Sequence, residues 1–126
     1  MALSEDKITG RYSITAYNDD DVIINEAAYS SSLILSAQTL ICPWSVSRVC
    51  DLDASNLQSV LEMNPEVVLL GTGIKQHFPG PEISAIFGTK GIGLEVMNTG
   101  ALCRTFNILV AEDRDVVALI LQGSAE

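Results

Sequence analysis

The rhythm of apolar and polar positions changes near residue 50. Before it, short apolar pieces follow one another: "YSITAY" (12–17), "VIIN" (22–25), "SLILS" (32–36) and "TLICPW" (39–44). The cluster "NDDD" at 18–21 separates the first two as a solvated turn, because Asn and Asp favour turns. Pieces this short and this closely spaced predict antiparallel hairpins. Pro43 lacks an N–H and confines the fourth piece to a sheet edge or a strand end.

After residue 50 the pieces alternate between helical and extended patterns. Asp53 is placed to cap a helix through "ASNLQSVLEM", where Leu57, Val60 and Leu61 share a face, and Asn64-Pro65 ends it. "EVVLLG" is a continuous apolar run, as expected of a strand covered on both faces. Gly80-Pro81 starts a short helix, "PEISAIF", with Pro at its first position and Gly88 near its end. "IGLEVM" (92–97) is the next strand. Asn98 caps a longer helix through "TGALCRTFNILVAE", with Leu102, Phe106, Leu109 and Val110 facing inward, and "VVALILQ" (116–122) is the last strand. The order β-α-β-α-β predicts a parallel sheet with right-handed crossovers. The expected fold is thus α/β: one domain over residues 1–126, its central sheet parallel in the C-terminal half and preceded by an antiparallel β portion.

Composition narrows the function classes. The chain has 126 residues, 48% of them apolar, enough for one domain with one core. Its apolar runs are too short to span a bilayer, which needs about 20 residues. "MALSEDKITG" resembles neither a signal peptide nor a transit peptide, so a cytoplasmic protein is expected. Net charge is −9, from 16 acids and 7 scattered bases. No basic stripe exists to neutralise a phosphate backbone or meet an anionic membrane surface, so nucleic-acid binding is not expected, and the short apolar runs speak against membrane insertion, whereas a partner with a basic face fits. Three cysteines without a CxxC and a single histidine, His77, argue against a disulfide framework and a metal site. No cofactor is expected.

"VVLLGTG" (67–73) asks whether its loop holds a phosphate or only turns a corner. A dinucleotide fingerprint needs G-x-G-x-x-G running straight into a helix. Gly71 and Gly73 fit, but Gln76 stands where the third glycine belongs, and "IKQHFPGP" delays the helix. Glu95, 24 residues after Gly71, is near the usual offset of a ribose-binding acid, which is a weak coincidence. No Walker loop is present. Gly71 and Gly73 therefore read first as a tight exit from a buried strand.

A second candidate is "MNTGALCRTFN" (97–107). Both loops follow parallel strands, so their tips should lie together, where ligands of open α/β sheets gather. Gly71, Thr72, Gly73, Asn98, Thr99 and Arg104 are the candidate ligand-binding residues, suited to a small anion, a peptide carboxylate or a nucleotide-like molecule. An ordinary capped helix with a surface arginine is the competing reading. Cys103 shares a helical face with Phe106 and Val110 and reads as a small core residue rather than a nucleophile; its only base would be His77. No catalytic residue is assigned.

The stretches "ITGR", "YSSSLIL", "CPW", "EVVLLGTG", "LEVMNTGALCRTFNIL" and "AEDRDVVALIL" carry a resemblance over nearly the whole chain. It is to the family of the mitochondrial NADH:ubiquinone oxidoreductase (complex I) assembly factor 3 and its uncharacterised bacterial relatives. The resemblance implies a single α/β domain under an antiparallel β portion, and a non-enzymatic role with a protein partner in assembling a respiratory complex. It carries over no catalytic residue. The chain departs in "YNDDDVIINEAA", which is more acidic than usual, and in lacking a mitochondrial presequence, which suggests a bacterial protein. The expected function is a protein-interaction or assembly module; the alternative is a small-molecule binder or enzyme using the loops at 71–78 and 98–104. Edge strands in the N-terminal half could also pair between subunits as a homo-oligomer.

Overall fold

A computed structural model describes residues 11–122. Its elements are β1 (Ile14–Tyr17), β2 (Val22–Ile24), β3 (Ala27–Tyr29), β4 (Leu33–Ser36), β5 (Leu40–Ile41), a 3₁₀ turn (Val49–Asp51), α1 (Gln58–Glu62), β6 (Val67–Gly71), α2 (Pro81–Gly88), β7 (Gly93–Met97), α3 (Thr99–Ala111) and β8 (Val116–Ile120). The leader reading, and the first three residues of "ITGR", lie outside the described residues.

The continuous apolar runs behave as strands with two buried faces. Strands β4, β6 and β8 adjoin in a five-stranded sheet of order β5-β4-β8-β6-β7. β6 is parallel to both β7 and β8, and β4 joins antiparallel to β8. Successive side chains point to opposite faces. Leu69, Val116, Ala118 and Ile120 therefore enter one core, and Val68, Leu70, Val117 and Leu119 the other. Helix α3 covers the first face through Leu102, Phe106 and Val110, while Ile83 and Phe87 of α2 cover the second. Two crossovers of one hand that run in opposite directions across a sheet put their helices on opposite faces, as observed.

The N-terminal hairpins divide between two sheets. β1, β2 and β3 form a separate antiparallel sheet whose Ile14, Val22 and Ile24 pack into the α3 core. β4 and β5 extend the parallel sheet instead, and β5, just before Pro43, is its edge. β3 was not anticipated. It follows a two-residue turn, Asn25-Glu26, with φ of 48° and 78°, as primed hairpin turns require. A glycine usually announces that turn, and here there is none.

The helix expected over 54–63 is regular only over α1. Asn56 N–H donates to Asp53 Oδ1 at 2.8 Å, and Asp53 N–H donates to Asn56 Oδ1 at 3.0 Å. Asp53 thus caps the first turn, but Gln58 N–H bonds Ser55 C=O three residues back at 3.3 Å, so 54–57 stays a turn ahead of the regular helix.

Three side chains fasten distant segments. Asn107 on α3 accepts from Ile14 N–H at 2.9 Å and donates to Ile14 C=O at 2.7 Å, as a neighbouring strand would. Ser32, buried, accepts from Gln122 N–H at 2.8 Å and donates to its C=O at 3.0 Å. Arg11 donates to the Val110 carbonyl at the end of α3, at 2.8 Å, and pairs with Asp113.

Two stability outcomes follow from these contacts. Glu66 accepts from Arg114 and from Asp115 N–H; the Arg114 bond first, then the backbone bond, hold its carboxyl below the usual range. A depressed carboxyl adds stability above the ordinary carboxylate range and loses it as pH falls through the depressed value. Glu66→Gln should therefore lower the melting temperature slightly at pH 7, and the two proteins should converge in acid. At Gly71, an added Cβ would lie 2.8 Å from Cδ1 of the fully buried Leu102. Gly71→Ala should cost about 1–3 kcal/mol by overpacking. In denaturant titrations, a double variant with Leu102→Ala should cost less than the sum of the single changes.

Candidate functional site

Strands β6, β7 and β8 end at the same rim, because Gly71 is in register with Met97 on one side and Ile120 on the other. The loops after β6 and β7 depart toward opposite faces, so a crevice opens between them. The loop tips, 71–73 and 98–100, are stitched directly together. Thr72 N–H donates to Met97 C=O at 3.0 Å, Thr99 N–H to Gly73 C=O at 2.8 Å, and Gly73 N–H to Thr99 Oγ1 at 3.1 Å. The Thr72 hydroxyl donates to Lys75 C=O at 2.6 Å and accepts from His77 N–H at 3.0 Å. Asn98 Oδ1 accepts from Ala101 N–H at 2.8 Å as the cap of α3. The N–H groups of Thr72, Gly73 and Thr99, which a phosphate cradle would offer here, are thus already bonded within the chain.

The glycines serve packing and turning. Gly71 admits Leu102, and Gly73 has φ of +95°, in the left-handed region that favours glycine. Gln76, at the third-glycine position, donates to the outward Val96 carbonyl of β7 at 2.7 Å. Glu95 is exposed in the middle of β7 and does not line the crevice.

The crevice widens into a cleft of about 1250 Å³ bounded by residues 17–20, 47–50, 72–75, 77–80, 98–100 and 121–122. Thr72, Gly73, Asn98 and Thr99 line it together, with Gly71 just beneath. Arg104 does not join them. It lies five residues beyond Thr99, which turns it about 140° around the helix axis. It lines a separate hollow of about 160 Å³ with Ile14–Tyr17, Cys103 and Asn107.

That hollow also settles Cys103. The thiol is buried, and burial pushes its pKa up to about 11, with Arg104 only partly opposing the shift. At neutral pH it is a thiol, not a thiolate nucleophile. His77 lines the cleft instead, so no Cys–His pair is assembled.

The residues that sequence reasoning passed over are apolar. Ile74 is 72% exposed, Phe78 70% and Tyr17 46%, and all three line the cleft. The available signal was two large apolar side chains in the loop "GIKQHFPG", where neither helical nor strand periodicity gives them a core to enter. Asp19, Asp20 and Glu82 bring acid to the same cleft, and Arg48 and Lys75 bring base.

Similarity to known proteins agrees with this architecture. A Francisella tularensis subsp. holarctica (strain LVS) protein named 13 kDa major membrane protein is 34% identical over 122 residues, covering 96% of this chain and 99% of that one. Among the described residues no helix is long and apolar enough to cross a membrane. The Xenopus tropicalis NADH dehydrogenase [ubiquinone] 1 alpha subcomplex assembly factor 3 is 25% identical over 135 residues, covering 96% of this chain and 74% of that protein. The NMR structure of a Xanthomonas campestris protein superposes with a TM-score of 0.86 at 35% identity, covering 100% of this chain and 96% of that one. A family model matches residues 14–121, and the chain belongs to that family, described as a protein of unknown function (DUF498/DUF598).

Proposed function

We propose that this chain is a non-catalytic protein-interaction or assembly module that holds a protein partner at the cleft on the strand-end rim. The observation that carries the reading is the contrast within that cleft: the N–H groups and hydroxyls of Thr72, Gly73 and Thr99 bond one another or the adjoining loop, while Ile74, Phe78 and Tyr17 project apolar surface. Apolar side chains gathered at one concave site mark a contact for another macromolecule. The assembly factor among its relatives supports extending the reading to a respiratory complex. The net charge of −9, which an anionic lipid surface repels, supports action in the cytoplasm.

A small-molecule binder is the second reading, favoured by the position of the cleft where ligands of α/β sheets gather. The volume counts against it, since small-ligand sites commonly measure about 300–1,000 Å³ and are closely lined.

Affinity capture of the tagged full chain from its native host should recover a defined partner in the non-membrane fraction. Phe78→Asp, in a chain that melts at the parental temperature, should lose it. Retention of the partner by that variant, together with a thermal shift of the parent by a nucleotide or organic acid, would replace this reading with the second. Cys103→Ser should leave the capture unchanged. In the intact parent at pH 7.5, iodoacetamide should label the exposed Cys50 well before Cys103, as peptide mass spectrometry would read.

A further inference from the structure

We propose that the cleft takes an extended segment of a partner protein in which an aromatic or branched aliphatic side chain is flanked by lysine or arginine. The inference rests on the interaction reading above and names the chemistry of the occupant.

The apolar anchor points come on a held loop. Between β6 and α2, the Thr72 hydroxyl bonds both Lys75 C=O and His77 N–H, and Gln76 bonds Val96 C=O. Ile74 and Phe78 sit among or beside these bonded residues, so the backbone that presents them is ordered before binding. Tyr17 reaches the same cleft from the end of β1, its ring held against Gly100, where an added Cβ would meet the hydroxyl oxygen at 2.6 Å.

The charge beside them is acidic and equally fixed. Asn18 Oδ1 accepts from the N–H groups of Asp20 and Asp21, both at 2.8 Å, and Asn18 N–H donates to Asp21 C=O at 2.9 Å. This closes the β1–β2 turn, with Asp19 and Asp20 exposed at the cleft and Asp21 partly buried beside them. None of the three carboxylates has an ion-pair partner among the described residues; the ion pairs found there join Arg11 to Asp113, Arg48 to Asp51 and Arg114 to Glu66. Glu82 adds a further carboxylate from the first turn of α2. Lys75 and Arg48 also line the cleft, but Arg48 already engages Asp51, and the chain as a whole carries −9. A segment with its own bases meets this field favourably, whereas an acidic one is repelled.

The test uses the full chain and a library of 12-residue synthetic peptides. One set fixes a central Phe or Leu between Lys and Arg residues, a second set replaces those bases with Glu and Asp, and a third replaces the central residue with Ser. Fluorescence anisotropy measures affinity, and ¹⁵N shift mapping locates the site. The basic-apolar set should bind, with shifts confined to residues 17–21 and 72–82. Phe78→Ala should weaken it about tenfold or more. Asp19→Asn/Asp20→Asn should weaken it several-fold and flatten its salt dependence. Equal binding of the acidic set, or shifts centred elsewhere, would overturn the inference. So would failure of every basic-apolar peptide to bind a chain that still captures its native partner through Phe78; that result leaves the interaction reading standing and removes only the partner chemistry. Loss of both captures would remove both.

Discussion

Strand β6 has no polar face. Val68 and Leu70 are buried on one side and Leu69 on the other, so apolar cover is required above and below. The chain supplies it by sending α2 to one face and α3 to the other, which makes the strands after β6 fall on its two sides. That reversal opens the crevice at the rim and brings the loops at 71–73 and 98–100 together. Gly71 is a tight point of the arrangement: the start of α3 lies close on the end of β6 with no side chain between Leu102 and the strand backbone.

With the helices so close, the rim closes on itself. Thr72, Gly73 and Thr99 bond one another across the tips, and what would be anion-binding donors in a cofactor fold become internal joints. The long loop before α2 is then free to carry apolar groups outward. A phosphate fingerprint joins strand to helix directly; here the helix begins only at Pro81, and the intervening residues form the wall of a broad cleft. The altered spacing between strand and helix thus leaves a broad cleft where a cofactor fold has a tight cradle.

The parallel core was legible because its strands are continuous apolar runs and its helices carry ordinary caps: Asn98 and Pro81 sit where their chemistry demands. β3 was not, because its turn is Asn25-Glu26 without glycine and the strand itself is three residues long. Nor could short hairpins reveal that they divide between two sheets, since that depends on which β8 neighbour wins the antiparallel pairing. The shared rim was legible from topology alone. Arg104 was grouped with it because sequence distance is short, but helical rotation turns it toward β1. Ile74 and Phe78 were hidden by the expectation that apolar residues serve a core.

The amide of Asn107 has one more effect. By occupying both the N–H and the C=O of Ile14, it covers the first residue of β1 on its outer flank as a paired strand would. A flank left bare is a template for another chain, and natural β proteins guard such flanks against aggregation. At Ile14 that cover is a single side chain on a helix, so Asn107 takes the part of a strand neighbour while other residues of α3 build the core.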